Sequence, residues 1–177
     1  VDAILIREKQ LTSARLLALA SRLRQMTHDA QARLIIHTQV DVALAIDADG
    51  VHLSSADIAS VNTVRRWLAA PEKTVSVSCH SAVELQQACD NGADFAMLSP
   101  VFATTCHPGS ACLGVDQFDA LAAATPLPVV ALGGIDSDHC TALHGRRMAV
   151  ISALFTATDA ARTAQQLLAA TDTGGVR

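Results

Sequence analysis

Short runs rich in β-branched residues alternate with longer Ala/Leu stretches of helical period along almost the whole chain. This is the pattern of βα units laid on a parallel sheet. It predicts strands over residues 4–7, 33–37, 50–53, 74–78, 95–98, 129–132 and 148–151. Helices fall between them, over residues 12–24, 40–45, 59–68, from 82, 118–124, from 142 and 158–170. Seven strands are one short of a closed (β/α)8 barrel, and a doubly wound open sheet would show the same alternation. The residues at the carboxyl ends of the strands favour the barrel: Arg7 and Lys9, His37 and Thr38, Ser54 and Asp57, Ser78 and His80, Ser99, Gly133 and Gly134, and Ser152. A barrel gathers those ends at one mouth, whereas an open sheet spreads them along an edge. The expected fold is therefore α/β, with a (β/α)8 TIM barrel over residues 1–170 favoured over an open sheet. Residues 171–177 read as a polar, Gly-rich, frayed tail.

Local signals punctuate this pattern. Thr12 or Ser13 is placed to cap the first long helix, and Ser81 with Glu84 three residues on reads as a capping box. Gly92 ends that later helix. Residues 99–114 have no period and carry Pro100, Pro108, Gly109 and Gly114, so they form a long loop.

Composition narrows the functional classes. Half the residues are hydrophobic and only 17% are charged, which excludes a disordered chain. The longest apolar runs, about eight residues, are far below the ~20 a membrane-spanning helix needs. A net charge of -4 and an aromatic content of 3% argue against a nucleic-acid surface or a base-stacking platform. The five cysteines are odd in number and show no CxxC or zinc spacing, as in a reduced, cytoplasmic protein.

Several strand-end residues can do chemistry. Gly133-Gly134 at a strand end lets backbone N–H groups approach an anion, although a βα turn needing glycine for its backbone angles explains the pair equally well. The period of two sends Arg7 and Lys9 to one side and Glu8 to the other, making an anion clamp if that side is the mouth, or a solvated charge run if not. Asp57 can hold Mg²⁺ beside phosphates or serve as a helix N-cap. His52, in mid-strand, reads as a hydrogen-bonded core residue before it reads as a catalyst. His107, in the long loop, is the better group for proton transfer.

The order of motifs resembles one family. Ile6-Arg7-Glu8-Lys9, Val40 to Ala45, Ala48 to Leu53, Ser76 to Ser81, Gly92 to Phe95, Ser99 to Thr104 and Pro128 to Ile135 together resemble the thiamine phosphate synthases, including their thiazole tautomerase (TenI-type) branch. The resemblance implies a (β/α)8 barrel, its first strand upstream of Val1 or missing from this chain, that joins a pyrimidine methyl pyrophosphate to a thiazole phosphate and releases pyrophosphate. It implies that Arg7 and Lys9 clamp pyrophosphate, that Asp57 is a Mg²⁺ ligand, and that Ser78 and Thr104 contact substrate. Gly133, Gly134, Ile151 and Ser152 would cradle the thiazole phosphate. His37, Cys106 and the catalytic candidate His107 complete the site expected from this comparison.

The departures from the family pattern concentrate on one half of that site. Leu5 stands where the synthases have Gln, His37-Thr38 where they have Asn-Asp, and Thr104-Thr105-Cys106-His107 where they have Thr-x-Thr-Lys. Thr38 thus replaces the second Mg²⁺ carboxylate, while the phosphate half is intact. Two alternatives follow: a metal-independent tautomerase with His107 or His80 as proton shuttle, and a non-catalytic domain binding thiazole or thiamine phosphate. The tautomerase branch carries His where this chain has Pro100. The loop from Cys106 to Gly114 also resembles synthase-like domains fused behind a Nudix hydrolase domain, so an upstream Nudix domain and a homo-oligomer are the macromolecular partners entertained.

Overall fold

The computed structural model describes residues 1–104 and 111–171. Its contacts divide the chain into two compact units, one of Val1–Ser78 with Gln86–Phe95, the other of Cys79–Leu85 with the residues from Ala96 onward. Each is a parallel α/β arrangement, as the alternation predicts.

In the first unit, strands β1 (Ala3–Ile6), β2 (Arg33–His37), β3 (Gly50–Leu53) and β4 (Thr74–Cys79) lie in parallel in chain order. Helices α1 (Ser13–Asp29), α2 (Val40–Ala45) and α3 (Val61–Leu68) connect them. Thr12 caps α1, its hydroxyl accepting from the Arg15 amide. Helix α1 runs five residues past the predicted end at 24, and Leu16, Ala20 and Thr27 form its buried stripe. The predicted helix over 59–68 is instead a 3-10 turn, Ser55–Ser60, followed by α3. β3 is buried along its whole length, as a parallel strand covered on both faces should be.

Two carboxylates fasten the amino-terminal ends of these strands. Asp49, just before β3, accepts from the Leu34 amide (2.7 Å) and from Arg24 (2.5 Å). Asp94 repeats the arrangement, accepting from the Val75 amide and from Arg65, each at 2.6 Å.

The second unit contains most of β5 (Phe95–Leu98), which pairs in parallel with β6 (Val129–Ala131). Helix α4 (Ala82–Asp90) precedes β5 and ends at Gly92, whose φ of 76° is left-handed. The Ser81 hydroxyl accepts from the Glu84 amide, but Glu84 reaches the amide of His80, one residue before the cap expected of a capping box. Helix α5 (Gly114–Ala123) starts four residues earlier than its periodicity suggests.

Two expectations fail in this unit. The predicted strand over 148–151 is a single parallel bridge between Ala131 and Met148, flanked by Ala131 N–H to Arg147 O and Ala149 N–H to Ala131 O. Its β-branched residues do not continue the ladder, because the chain turns directly into the short helix α6 (Ser152–Phe155). The helix predicted from 142 is only a 3-10 turn, Cys140–Leu143. The last helix, α7 (Ala160–Thr171), is present. The tail after residue 171 lies outside the described residues.

Candidate functional site

The strand register builds one group of candidate residues in the first unit. His37 pairs with His52 and His52 with Ser76, so these three form one row across β2 to β4, while Ile6 pairs with Ile36 one residue earlier and Arg7 follows Ile6. Side chains level in a parallel sheet share a face, which turns His37, His52 and Ser76 the same way. The two imidazole centroids stand 6.0 Å apart. His52 is buried, and its Nδ1 meets Ser76 Oγ at 2.8 Å while its Nε2 meets Ser78 Oγ at 2.9 Å. Burial, then the nearby His37 and Arg7, push the His52 pKa down to about 4. His37 is lowered as well, by burial first and by Arg7 and Lys9 next, against an opposing pull from Asp57. Both rings are therefore neutral near pH 7.

Beside this row lies a cleft of about 380 Å³ lined by Glu8, Lys9, Leu16, His37, Thr38, Gln39, Ser54 and Asp57. The alternation argument for Arg7, Glu8 and Lys9 is corrected here. β1 stops at Ile6, a period of two holds only within a strand, and Glu8 lines the same cleft as Lys9. Asp57 is not an N-cap. It lies inside the 3-10 turn that follows β3 and accepts from Ser54 Oγ at 2.6 Å, with its side chain on the cleft wall. Thr38 takes a φ of 56°, in the left-handed region, and its hydroxyl meets His37 Nδ1 at 3.2 Å. Among the described residues, no group of three or more His, Cys, Asp and Glu side chains makes a metal cage by itself.

A separate group of candidate residues belongs to the other unit. Gly133 and Gly134 follow β6 with φ of 98° and 65°. A Cβ on Gly133 would stand 2.8 Å from Pro100 Cα, and one on Gly134 would stand 2.4 Å from Ala103 O. The Val101 and Phe102 amides donate to the carbonyls of Leu132 and Gly133. The glycines thus serve a close backbone approach by the loop after β5, besides their backbone angles. Ile151 and Ser152, both exposed, lie as far beyond the Ala131–Met148 bridge as Gly134 does, give or take one residue. His80 Nδ1 faces the Ser99 carbonyl at 2.8 Å, so it carries the proton and leaves Nε2 as acceptor. His139 stacks on Phe102 (4.6 Å between centroids) and is held by Asp136 through Nδ1 at 2.8 Å.

A family model described as thiamine monophosphate synthase matches residues 1–154. The chain belongs to the thiamine monophosphate synthase family. Within that family it is 36% identical over 169 residues to a thiamine-phosphate synthase of Moorella thermoacetica, covering 93% of this chain and 80% of that protein. A thiamine-phosphate synthase of Chloroflexus aurantiacus is 37% identical over 167 residues, 92% and 76% of the two chains. Among solved structures, thiamine phosphate pyrophosphorylase from Pyrococcus furiosus superposes with a TM-score of 0.84 at 30% identity, over 96% of this chain and 82% of that one. A 3-hexulose-6-phosphate synthase, at 21% identity and a TM-score of 0.72, shares the fold. The fold is of the (β/α)8 class, as expected.

The thiamine monophosphate synthase family resemblance directs attention to residues the structure distributes unevenly. Lys9, His37 and Asp57 line one cleft, and Arg7 lies close enough to lower both histidines. Ser78 stands at the end of β4 and is held by His52. Thr104 is half-buried in the loop after β5, whereas Cys106 and His107 lie outside the described residues. Sequence reasoning passed over Ser76 and left His52 to the core. Only the register reveals that a histidine on one strand meets two serines, two residues apart, on the next.

Proposed function

We propose that this chain joins a pyrimidine methyl pyrophosphate to a thiazole phosphate. The methylene C–O bond to pyrophosphate breaks, with its electron pair leaving on the pyrophosphate. The thiazole nitrogen then captures the resulting pyrimidine cation, forming the new C–N bond. The protein's main task is to stabilise the leaving anion. Arg7 and Lys9 supply fixed positive charge there, and Ser78 and Thr104 contact substrate. Gly133, Gly134, Ile151 and Ser152 hold the thiazole phosphate on backbone and hydroxyl groups. His37 and Cys106 complete the proposed substrate contacts, with His107 as a catalytic candidate.

Mg²⁺ fits the first cleft. It commonly takes one or two carboxylates and fills its shell with phosphate oxygens and water, and Asp57 and Glu8 both line that cleft. Asp57 would hold the ion, which would neutralise charge on the departing pyrophosphate. The observation that carries the reading is this single cleft, where a carboxylate lies with Lys9 and neutral His37 at the carboxyl ends of three consecutive strands. The four described free cysteines support a reducing, cytoplasmic setting as part of the same proposal.

The deciding experiment mixes purified protein with both precursors, with and without Mg²⁺, and follows thiamine phosphate. Mg²⁺-dependent product is expected, and none above background would overturn the synthase reading. In that event conversion of the thiazole carboxylate tautomer would install the tautomerase reading, which His80 Nε2, free to accept a proton, favours. Thermal stabilisation by thiazole phosphate without either activity would leave a binding domain.

A further inference from the structure

His52 is a neutral ring set between two hydroxyls, and only one arrangement of protons satisfies all three groups. A neutral imidazole has one N–H and one bare nitrogen, while each serine hydroxyl has one proton to donate and can also accept. Ser76 is wholly buried, and among the described residues the only partner of its Oγ is His52 Nδ1. A buried O–H without an acceptor is strongly disfavoured, so the Ser76 proton goes to Nδ1. Nδ1 is then bare, the ring proton sits on Nε2, and Nε2–H donates to Ser78 Oγ. Ser78 is half-exposed and has its own proton left to give.

We propose that Ser76, acting through the tautomer of His52, frees the Ser78 hydroxyl proton to serve as a hydrogen-bond donor toward the substrate. The opposite tautomer would turn the Ser78 proton inward and present only lone pairs. Ser78 therefore offers its proton to an acceptor on the ligand, an unprotonated ring nitrogen or an anionic oxygen. His37 on β2 and Arg7, just past the end of β1, oppose the doubly protonated ring that would erase the distinction. His52 and Ser76 are positioning residues: neither needs to touch substrate. The proposal rests on the synthase reading only for the identity of the ligand that Ser78 meets.

The test separates the two. Long-range ¹H–¹⁵N spectra of the substrate-free, ¹⁵N-labelled protein at pH 7 should show His52 protonated at Nε2 and bare at Nδ1. A proton on Nδ1 overturns the proposal. Ser76→Ala removes the constraint and should give a mixed or switched tautomer. It should also lower kcat/KM for the pyrimidine substrate about tenfold, the scale of one hydrogen bond to ligand. An unchanged tautomer in that variant also overturns it. His52→Gln, whose amide N–H can replace Nε2–H, should retain more activity than His52→Leu at equal folded fraction; equal losses would reduce His52 to packing. If His52→Leu does not fold, the spectra and Ser76→Ala decide alone. The expected tautomer in a protein that makes no thiamine phosphate would uphold the tautomer assignment and sink the synthase reading.

Discussion

Thr38 holds a β-branched side chain at a φ of 56°, where such residues are outliers and Asn or Asp fit far better. The family resemblance assigns Asp to this position, so the backbone there retains a shape that suits the residue it lacks. Thr38→Asn should relieve the strain and raise stability by about 1 kcal/mol, read as a higher urea midpoint with unchanged slope. Thr38→Asp should also tighten Mg²⁺ binding measured by calorimetry, because Thr38 lines the same cleft as Asp57. An unaltered titration would show that the added carboxylate does not reach the ion. At this scale the sequence was informative where chemistry follows from residue type. Asp57 and Lys9 could be picked out as anion and cation at strand ends, and they share a cleft. Glu8 was misplaced because strand alternation was extended one turn beyond the strand.

The elements carry what single residues cannot. The row from His37 through His52 to Ser76 exists only because three strands pair in one register, and no local pattern reports register. That is why His52 read as core, whereas the strands themselves were legible from their β-branched runs. The seventh strand failed for the converse reason: its residues suit a strand, but only Met148 finds a bridge partner. The buried row makes stability depend on pH. His52 has a folded pKa of about 4, below the ordinary 6.5, so protons bind the unfolded chain more readily. Its contribution is complete above about pH 6.5 and is lost as pH falls from there through 4, on the order of 3 kcal/mol from the shift alone. His37, also lowered, adds in the same sense. Chemical denaturation between pH 7 and 4.5 should show this slope, and His52→Gln should flatten it; an equal slope would place the effect elsewhere.

At the scale of the molecule, the fastening carboxylates and the candidate cleft of the first unit lie at opposite ends of its strands, the usual division in this fold class. Asp94 takes both the Val75 amide and Arg65 at the amino-terminal end. Asp94→Ala should therefore cost about 2 kcal/mol in denaturant melts while leaving turnover per folded molecule intact. A fall in kcat/KM would join that end to the reaction. Ligand binding should report from the other end: inorganic pyrophosphate with Mg²⁺ should raise Tm, and Lys9→Ala should cut the shift while leaving the response to thiazole phosphate unchanged. Equal loss of both responses would contradict the assignment of Lys9 to pyrophosphate. Asp49 and Asp94 have one more consequence. Each ties the start of one strand to the start of the next, and neither reaches the carboxyl ends. Strands secured at one end fray from the other, so backbone amides near His37 and Ser78 should exchange with solvent deuterium before those of Leu34 and Val75. The protein's breathing is thereby directed to the end that carries the candidate cleft.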